Sequence, residues 1–291
     1  MDYHDKIKIC VICKGKLELI RKIGKADIYE CINCRIVTIS NHEHKKVLEN
    51  KLDQMYNFNN YSIESKKIMN RSRRLISIIQ KYKNKGKVID IGGGFGLFSS
   101  VLNNTSNYEV EILEPYLETK YAKDIKVYKK SFEEFIKTHI YKYNVVVALD
   151  VIEHFKKPII NLRKTADLMS EDAILVIQVP NYQSLMAKIC KKWSWWMVED
   201  HKFMFSPKSI RLILNKTGFK IRFFSTYEDL YDFKKNMDGN FENIRIDIVR
   251  KLFKGTFFGF FIPIYILIRK ILWRLGFGGL IFLIAQREIY Y

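Results

Sequence analysis

The sequence opens on Met-Asp-Tyr-His-Asp-Lys and has no apolar signal core there, so secretion is not expected and a cytoplasmic setting is. It has no internal repeat and no low-complexity tract beyond a general Lys, Ile and Asn bias, which sets aside repeat architectures. A convincing membrane span is also missing. The fourteen uncharged residues Gly255 to Ile268 are short for a bilayer and are interrupted by Gly259 and Pro263. Acids are scarce as well: 31 Asp and Glu stand against 50 Lys and Arg, a net charge of +19 that attracts polyanions and anionic membranes. With 291 residues there is room for one large α/β domain and a small module.

Cysteine is rare, but four of the five are paired in sequence. Cys10-x-x-Cys13 and Cys31-x-x-Cys34 are separated by seventeen residues, the two-knuckle spacing of a zinc ribbon. Four thiolates converging on one Zn²⁺ leave no open coordination position, so such a metal is structural. A redox dithiol or a disulfide pair is the other reading of the same spacing. The module, residues 1–40, is too small to bury an adequate core alone, and zinc would supply the missing stabilisation. A polar linker is expected over 41–61. Cys190 has no sequence partner.

Residues Val88 to Phe98 pass from a buried-strand run through a glycine cluster into a helical pattern. Asp90, Gly92, Gly94 and Gly96 fall at alternate positions, with Gly93 between them, so the backbone can turn sharply and approach a ligand closely. A second strand candidate, Glu109 to Leu113, ends in Glu114, 24 residues after Asp90, where a carboxylate could accept the hydroxyls of a ribose. A diphosphate would be repelled by Asp90 within the loop. The acid instead suits a cationic cofactor such as S-adenosylmethionine, with its sulfonium and α-ammonium groups.

The pattern Asp90-x-Gly92-x-Gly94-x-Gly96 resembles the first motif of the class I S-adenosylmethionine-dependent methyltransferases. Further matches follow in order. Tyr143 to Phe155 resembles the family's fourth-strand motif, Ala173 to Val179 its fifth strand, and Glu199 to Pro207 the segment leading to its last two strands, expected at Lys220 to Thr226 and Leu280 to Arg287. The resemblance covers about Ile63 to Glu288 and is closest to ubiquinone-pathway O-methyltransferases and methyltransferases of polysaccharide gene clusters. It implies a doubly wound, Rossmann-like α/β domain over 62–288, with a seven-stranded sheet whose last strand is antiparallel and an insert at about 228–279.

By the same resemblance Asp90, Gly92, Gly93, Gly94 and Gly96 surround the methionine moiety, and Glu114 holds the ribose. Ser131 and Phe132 flank the adenine, and Asp150 lies at the floor of the pocket. A hydroxyl acceptor needs its proton removed, which makes His154 and His201 the candidate bases. Asp150, Glu153 and His154 echo an acidic-histidine motif that binds a divalent ion in some relatives, so Mg²⁺ is a further candidate, although Asp150 is a shorter arm than the usual Glu.

Two basic segments bear on the acceptor. Glu64 to Lys87 holds nine basic residues and one acid, above an apolar set Ile68, Leu75, Ile79 and Tyr82 at helical spacing. It reads as a sheet-edge helix with a cationic face, which is either simply solvated, an RNA surface, or a lure for anionic substrates. Between Arg245 and Arg274, seven basic residues and one acid flank the apolar run, so residues 245–274 can pack on their own domain or contact a membrane peripherally. Trp193, Trp195 and Trp196 fit an acceptor-lining or a lid-packing role. The leading expectation is O-methylation of a small-molecule, glycan or lipid-linked acceptor in envelope or secondary metabolism. The runner-up is an RNA methyltransferase, since certain ribosomal RNA enzymes also carry an N-terminal zinc ribbon, and a non-catalytic binding protein is third.

Overall fold

The structure, a computed structural model, describes residues 9–41, 57–105, 107–190, 192–238 and 247–288. Most of the expected linker, 42–56, and part of the expected insert, 239–246, lie outside the described residues. In chain order the strands are β1 Leu17–Ile23, β2 Ala26–Cys31, β3 Val37–Asn41, β4 Gly86–Ile91, β5 Tyr108–Leu113, β6 Lys126–Tyr128, β7 Tyr143–Leu149, β8 Met169–Pro180, β9 Phe203–Met204, β10 Phe219–Tyr227 and β11 Leu280–Arg287. The helices are α1 Phe58–Ile79, α2 Leu97–Asn103, α3 Phe132–Thr138, α4 Pro158–Asp167, α5 Leu185–Ile189, α6 Pro207–Lys216, α7 Leu230–Asp238 and α8 Asp247–Arg274.

The chain divides into two compact units, each discontinuous in sequence. One comprises Met1–Ser40, Val179–Ile210 and Phe224–Phe282; the other comprises Asn41–Gln178, Arg211–Phe223 and Leu283–Tyr291.

The second unit carries a seven-stranded sheet in the order β10-β11-β8-β7-β4-β5-β6, parallel except at its last strand. Its central strands read as continuous apolar runs because helices cover both faces and leave no solvated side to pattern against. Val88, Ile89, Val145, Val146 and Val147 are fully buried. Val88 pairs with Val110 of β5 on one side and Val145 of β7 on the other. From β4 the chain winds outward through α2 to β5, whereas β7 lies on the opposite side of β4. This reversal leaves a crevice at the carboxyl ends of β4 and β7, where ligands bind in open parallel sheets.

The expected basic helix forms with different limits. It begins at Phe58, where the Asn57 side chain accepts the amides of Asn59 and Asn60 at 2.8 and 3.2 Å, and it ends at Ile79. Gln80 to Tyr82 form a turn. At Gly86, where β4 begins, φ is 122° and a Cβ would stand 2.3 Å from Asn144 Oδ1, so glycine suits the entry to the strand. Leu75, Ile76 and Ile79 are the buried face, whereas Tyr82 lies beyond the helix and stays exposed.

The first unit holds an antiparallel sheet β1-β2-β3-β9. β1 and β2 form a hairpin closed by Gly24 and Lys25, Gly24 taking a left-handed φ of 57°. Val37 and Thr38 of β3 pair with Met204 and Phe203 of β9. The sheet packs into a core containing Ile28, Val37, Met186, Trp193, Met204, Phe233 and Tyr265. The apolar insert is not a broken segment. It is one helix, α8, that runs through Pro263, and its stretch Lys254–Arg274 is long and apolar enough to cross a membrane.

Candidate functional site

Asp90 is the penultimate residue of β4, between its register partners Ile112 and Val147. Its side chain is inside the protein, and Ser99 Oγ on α2 donates to Asp90 Oδ2 at 2.5 Å. Burial pushes the Asp90 carboxyl up to about 7; the Ser99 hydrogen bond opposes this, and the charge of Glu114 adds to it. The glycines after it shape a cradle. Gly96, with φ 82°, caps α2 where a Cβ would come within 2.6 Å of Ala122 Cβ. Gly94, with φ 56°, faces open space, the side of the loop on which a ligand can approach the backbone.

Glu114 follows β5 and is buried. Its Oε2 accepts the Gly94 amide at 2.9 Å, and its Oε1 accepts the amides of Tyr116 and Leu117 at 2.9 and 3.0 Å. The expected ribose carboxylate is therefore held rigidly beside the glycine loop. Oε2 keeps a further lone pair for a ligand hydroxyl.

Asp150, just after β7, has a left-handed φ of 56°, a strained setting for a residue with a Cβ and one that clusters at functional sites. Gln178 of β8 fixes it twice: the Asp150 amide donates to Gln178 O at 2.9 Å, and Gln178 Nε2 donates to Asp150 Oδ2 at 2.8 Å. Val151 reaches back to the loop, where its Cγ2 would lie 2.7 Å from a Cβ on Gly92. Asp90, the glycines, Glu114 and Asp150 thus gather at the carboxyl ends of neighbouring parallel strands.

Other expected residues have structural partners. Ser131 caps α3: its Oγ accepts the Glu134 amide at 3.3 Å and donates to Glu134 Oε2 at 2.6 Å, a capping box. Phe132 is buried with its ring 5.2 Å from that of Phe155. His154 is half-buried on the single 3₁₀ turn Ile152–His154 after β7. His201 belongs to the first unit and is buried, its amide donating to Met197 O at 2.8 Å. Of the three residues expected to hold Mg²⁺, Glu153 and His154 fall in a cluster of metal-capable side chains, whereas Asp150 falls in none among the described residues and its Oδ2 is turned to Gln178. Trp193 is a buried core residue and Trp195 and Trp196 pack against that core, which favours packing over ring recognition.

Sequence reasoning missed Ser99 and Gln178, whose positions emerge only once α2 and β8 are placed. It also missed an aromatic cluster around the loop: Phe95 lies 5.2 Å from Phe58 and 4.8 Å from Tyr61, and Tyr121 is 6.0 Å from Tyr61. The signal available was the Phe58 and Tyr61 spacing on one helix face.

In the first unit the sulfurs of Cys10, Cys13, Cys31 and Cys34 all lie within 4.8 Å of one another, with Cys10–Cys34 at 3.6 Å and Cys13–Cys31 at 3.3 Å. A tetrahedral site with Zn–S near 2.3 Å places its sulfurs about 3.8 Å apart, so the donor set fits one ion. The amides of Ile12 and Gly15 donate to Cys10 and Cys13 at 3.3 and 3.4 Å, bonds of the kind that stabilise a thiolate, although burial pushes the Cys13 thiol up.

A family model described as methyltransferase domain matches residues 67–222. No curated protein matches the chain. Among solved structures, an S-adenosylmethionine-dependent methyltransferase from Archaeoglobus fulgidus is 22% identical with a TM-score of 0.51, covering 77% of this chain and 94% of its own. The Burkholderia thailandensis 1,6-didemethyltoxoflavin-N1-methyltransferase, solved with 1,6-didemethyltoxoflavin and S-adenosylhomocysteine, is 10% identical with a TM-score of 0.53, covering 94% and 100%. An O-methyltransferase family protein from the same species is 11% identical with a TM-score of 0.53, covering 86% and 66%. These likenesses establish the fold.

Proposed function

Because the chain belongs to the family of methyltransferase domains, and is a methyltransferase, we propose that it takes the methyl group from S-adenosylmethionine and delivers it to a hydroxyl of a small-molecule, sugar or lipid-linked acceptor. The observation that carries this reading is the buried Asp90 beside the Gly94 cradle, with Glu114 hydrogen-bonded to that loop. A buried acid next to open backbone suits a cationic ligand, and an amide-anchored carboxylate suits a diol.

Bound S-adenosylmethionine supplies an electrophilic methyl on a sulfonium, which departs as a neutral thioether when an oxygen attacks in line. The protein's share is alignment and exclusion of water. In this reading Asp90 balances the ligand's positive charge, Glu114 holds the ribose hydroxyls, and Gln178 keeps Asp150 against the end of β7. His154 or His201 accepts the acceptor's hydroxyl proton as the carbon–oxygen bond forms. The four cysteines hold a structural Zn²⁺, which leaves them outside the chemistry.

The test is to incubate the protein with methyl-labelled S-adenosylmethionine and host extract, then count label in lipid, glycan, small-molecule and RNA fractions against an Asp90→Ala control. Label in one of the first three supports the reading. Label confined to RNA overturns it. Of His154→Ala and His201→Ala, the variant that keeps cofactor affinity and loses label identifies the base.

A further inference from the structure

Helix α8 is apolar on two faces, and among the described residues only one of them packs against the protein. Phe257, Phe258, Ile262, Tyr265 and Leu272 turn to the core of the first unit, and the Tyr265 hydroxyl donates to the buried Glu228 carboxylate at 3.3 Å. The opposite face is open. Leu267 is 79% exposed, Phe260 63% and Ile271 60%, joined by Phe261, Ile264 and Ile268. Phe260, Ile264, Leu267 and Ile271 recur at i, i+4, i+7 and i+11, one continuous stripe flanked by Phe261 and Ile268. The stretch Lys254–Arg274 has a mean hydropathy of 1.6, and only 6% of its most apolar window is buried. Scattered apolar residues on a surface need no explanation, but a stripe along about 17 Å of helix does.

Charge identifies the occupant. Lys251 stands exposed before the stripe, and Lys270 and Arg274 stand exposed at its far end. From Ile248 to Arg287 the sequence contains no acid. Arg269 lies over the Trp273 ring at 5.3 Å, the aromatic and cationic pairing that sits well at headgroup depth. A second copy of the chain would bring another +19 against these cations. An anionic bilayer offers both an apolar phase and the opposite charge.

We propose that α8 seats the protein flat on an anionic membrane surface, its outer stripe among the acyl chains and its flanking cations at the phosphates. It does not cross the bilayer. A span would strip Phe258, Ile262, Tyr265 and Leu272 from the core and expose the buried Glu228.

The full chain is floated with phosphatidylcholine vesicles made with and without about 30 mol% phosphatidylglycerol. The expected result is flotation with the anionic vesicles alone, weakened by salt and removed by alkaline carbonate. Leu267→Asp with Ile271→Asp lowers partitioning by about tenfold or more while S-adenosylmethionine affinity, which reports folding, stays unchanged. Failure to float with either vesicle overturns the proposal, as does carbonate-resistant binding, which would mean a span. So does a stable dimer in solution that the same two substitutions dissolve.

Discussion

At the scale of single residues, Asp90 is the most informative position. Its carboxyl is raised to about 7 chiefly by burial, so below that pH it holds a proton that a cationic ligand must expel. Affinity for S-adenosylmethionine is therefore expected to rise as pH increases from about 5.5 to about 7 and then to level off. Calorimetric titration across that range checks this; the Asp90→Asn variant should bind about tenfold more weakly and lose the slope. The loop glycines and Glu114 were legible in the sequence, because backbone that must turn and a carboxylate at a strand end leave a fixed spacing. The jobs of Ser99 and Gln178 were not, since a hydroxyl or amide acquires meaning only from the side chain it meets. Ser131 shows the reverse: a residue read as an adenine neighbour has its hydroxyl engaged in the capping box of α3.

At the scale of elements, the central strands were the easiest to read. Runs such as Val145–Leu149 and Ile174–Val179 are too short and too β-branched for helices, and the strands expected at Lys220 to Thr226 and Leu280 to Arg287 form as β10 and β11. Helix limits were harder. Gly255, Gly259 and Pro263 argue locally against a helix, yet α8 runs through all three, because packing of its inner face on the core outweighs propensity. The cysteine module is an element whose own core is small. If the four cysteines hold one Zn²⁺ per chain as proposed, Cys13→Ser is expected to abolish its binding and to lower the melting temperature by about 10 °C. Metal analysis by mass spectrometry with a thermal scan checks both, and unchanged stability without metal would sink the structural-zinc reading.

For the molecule as a whole, two buried carboxyls set the response of stability to pH. Burial, with Asp232 nearby, pushes Glu228 up to about 8, as burial does Asp90 to about 7. Both are acids whose folded pKa exceeds the unfolded one, so the folded state holds protons that the unfolded chain has released. Their contribution is complete below the ordinary carboxylate range and is lost as pH rises through about 7 and about 8. Melting temperature should fall between about pH 4.5 and about pH 8. Glu228→Gln, which keeps a neutral hydrogen-bonding side chain, should flatten the upper part of that decline. One further consequence concerns how the chain is made. The carbonyl of Arg35, next to the last clustered cysteine, accepts the hydroxyls of Tyr182 at 2.7 Å and Ser206 at 3.1 Å, and β3 closes on β9. These partners follow 147 and 171 residues later, roughly 10–30 s of translation. The thiols thus leave the ribosome long before the strand that covers them, and an ion captured early would guard them against oxidation until it arrives.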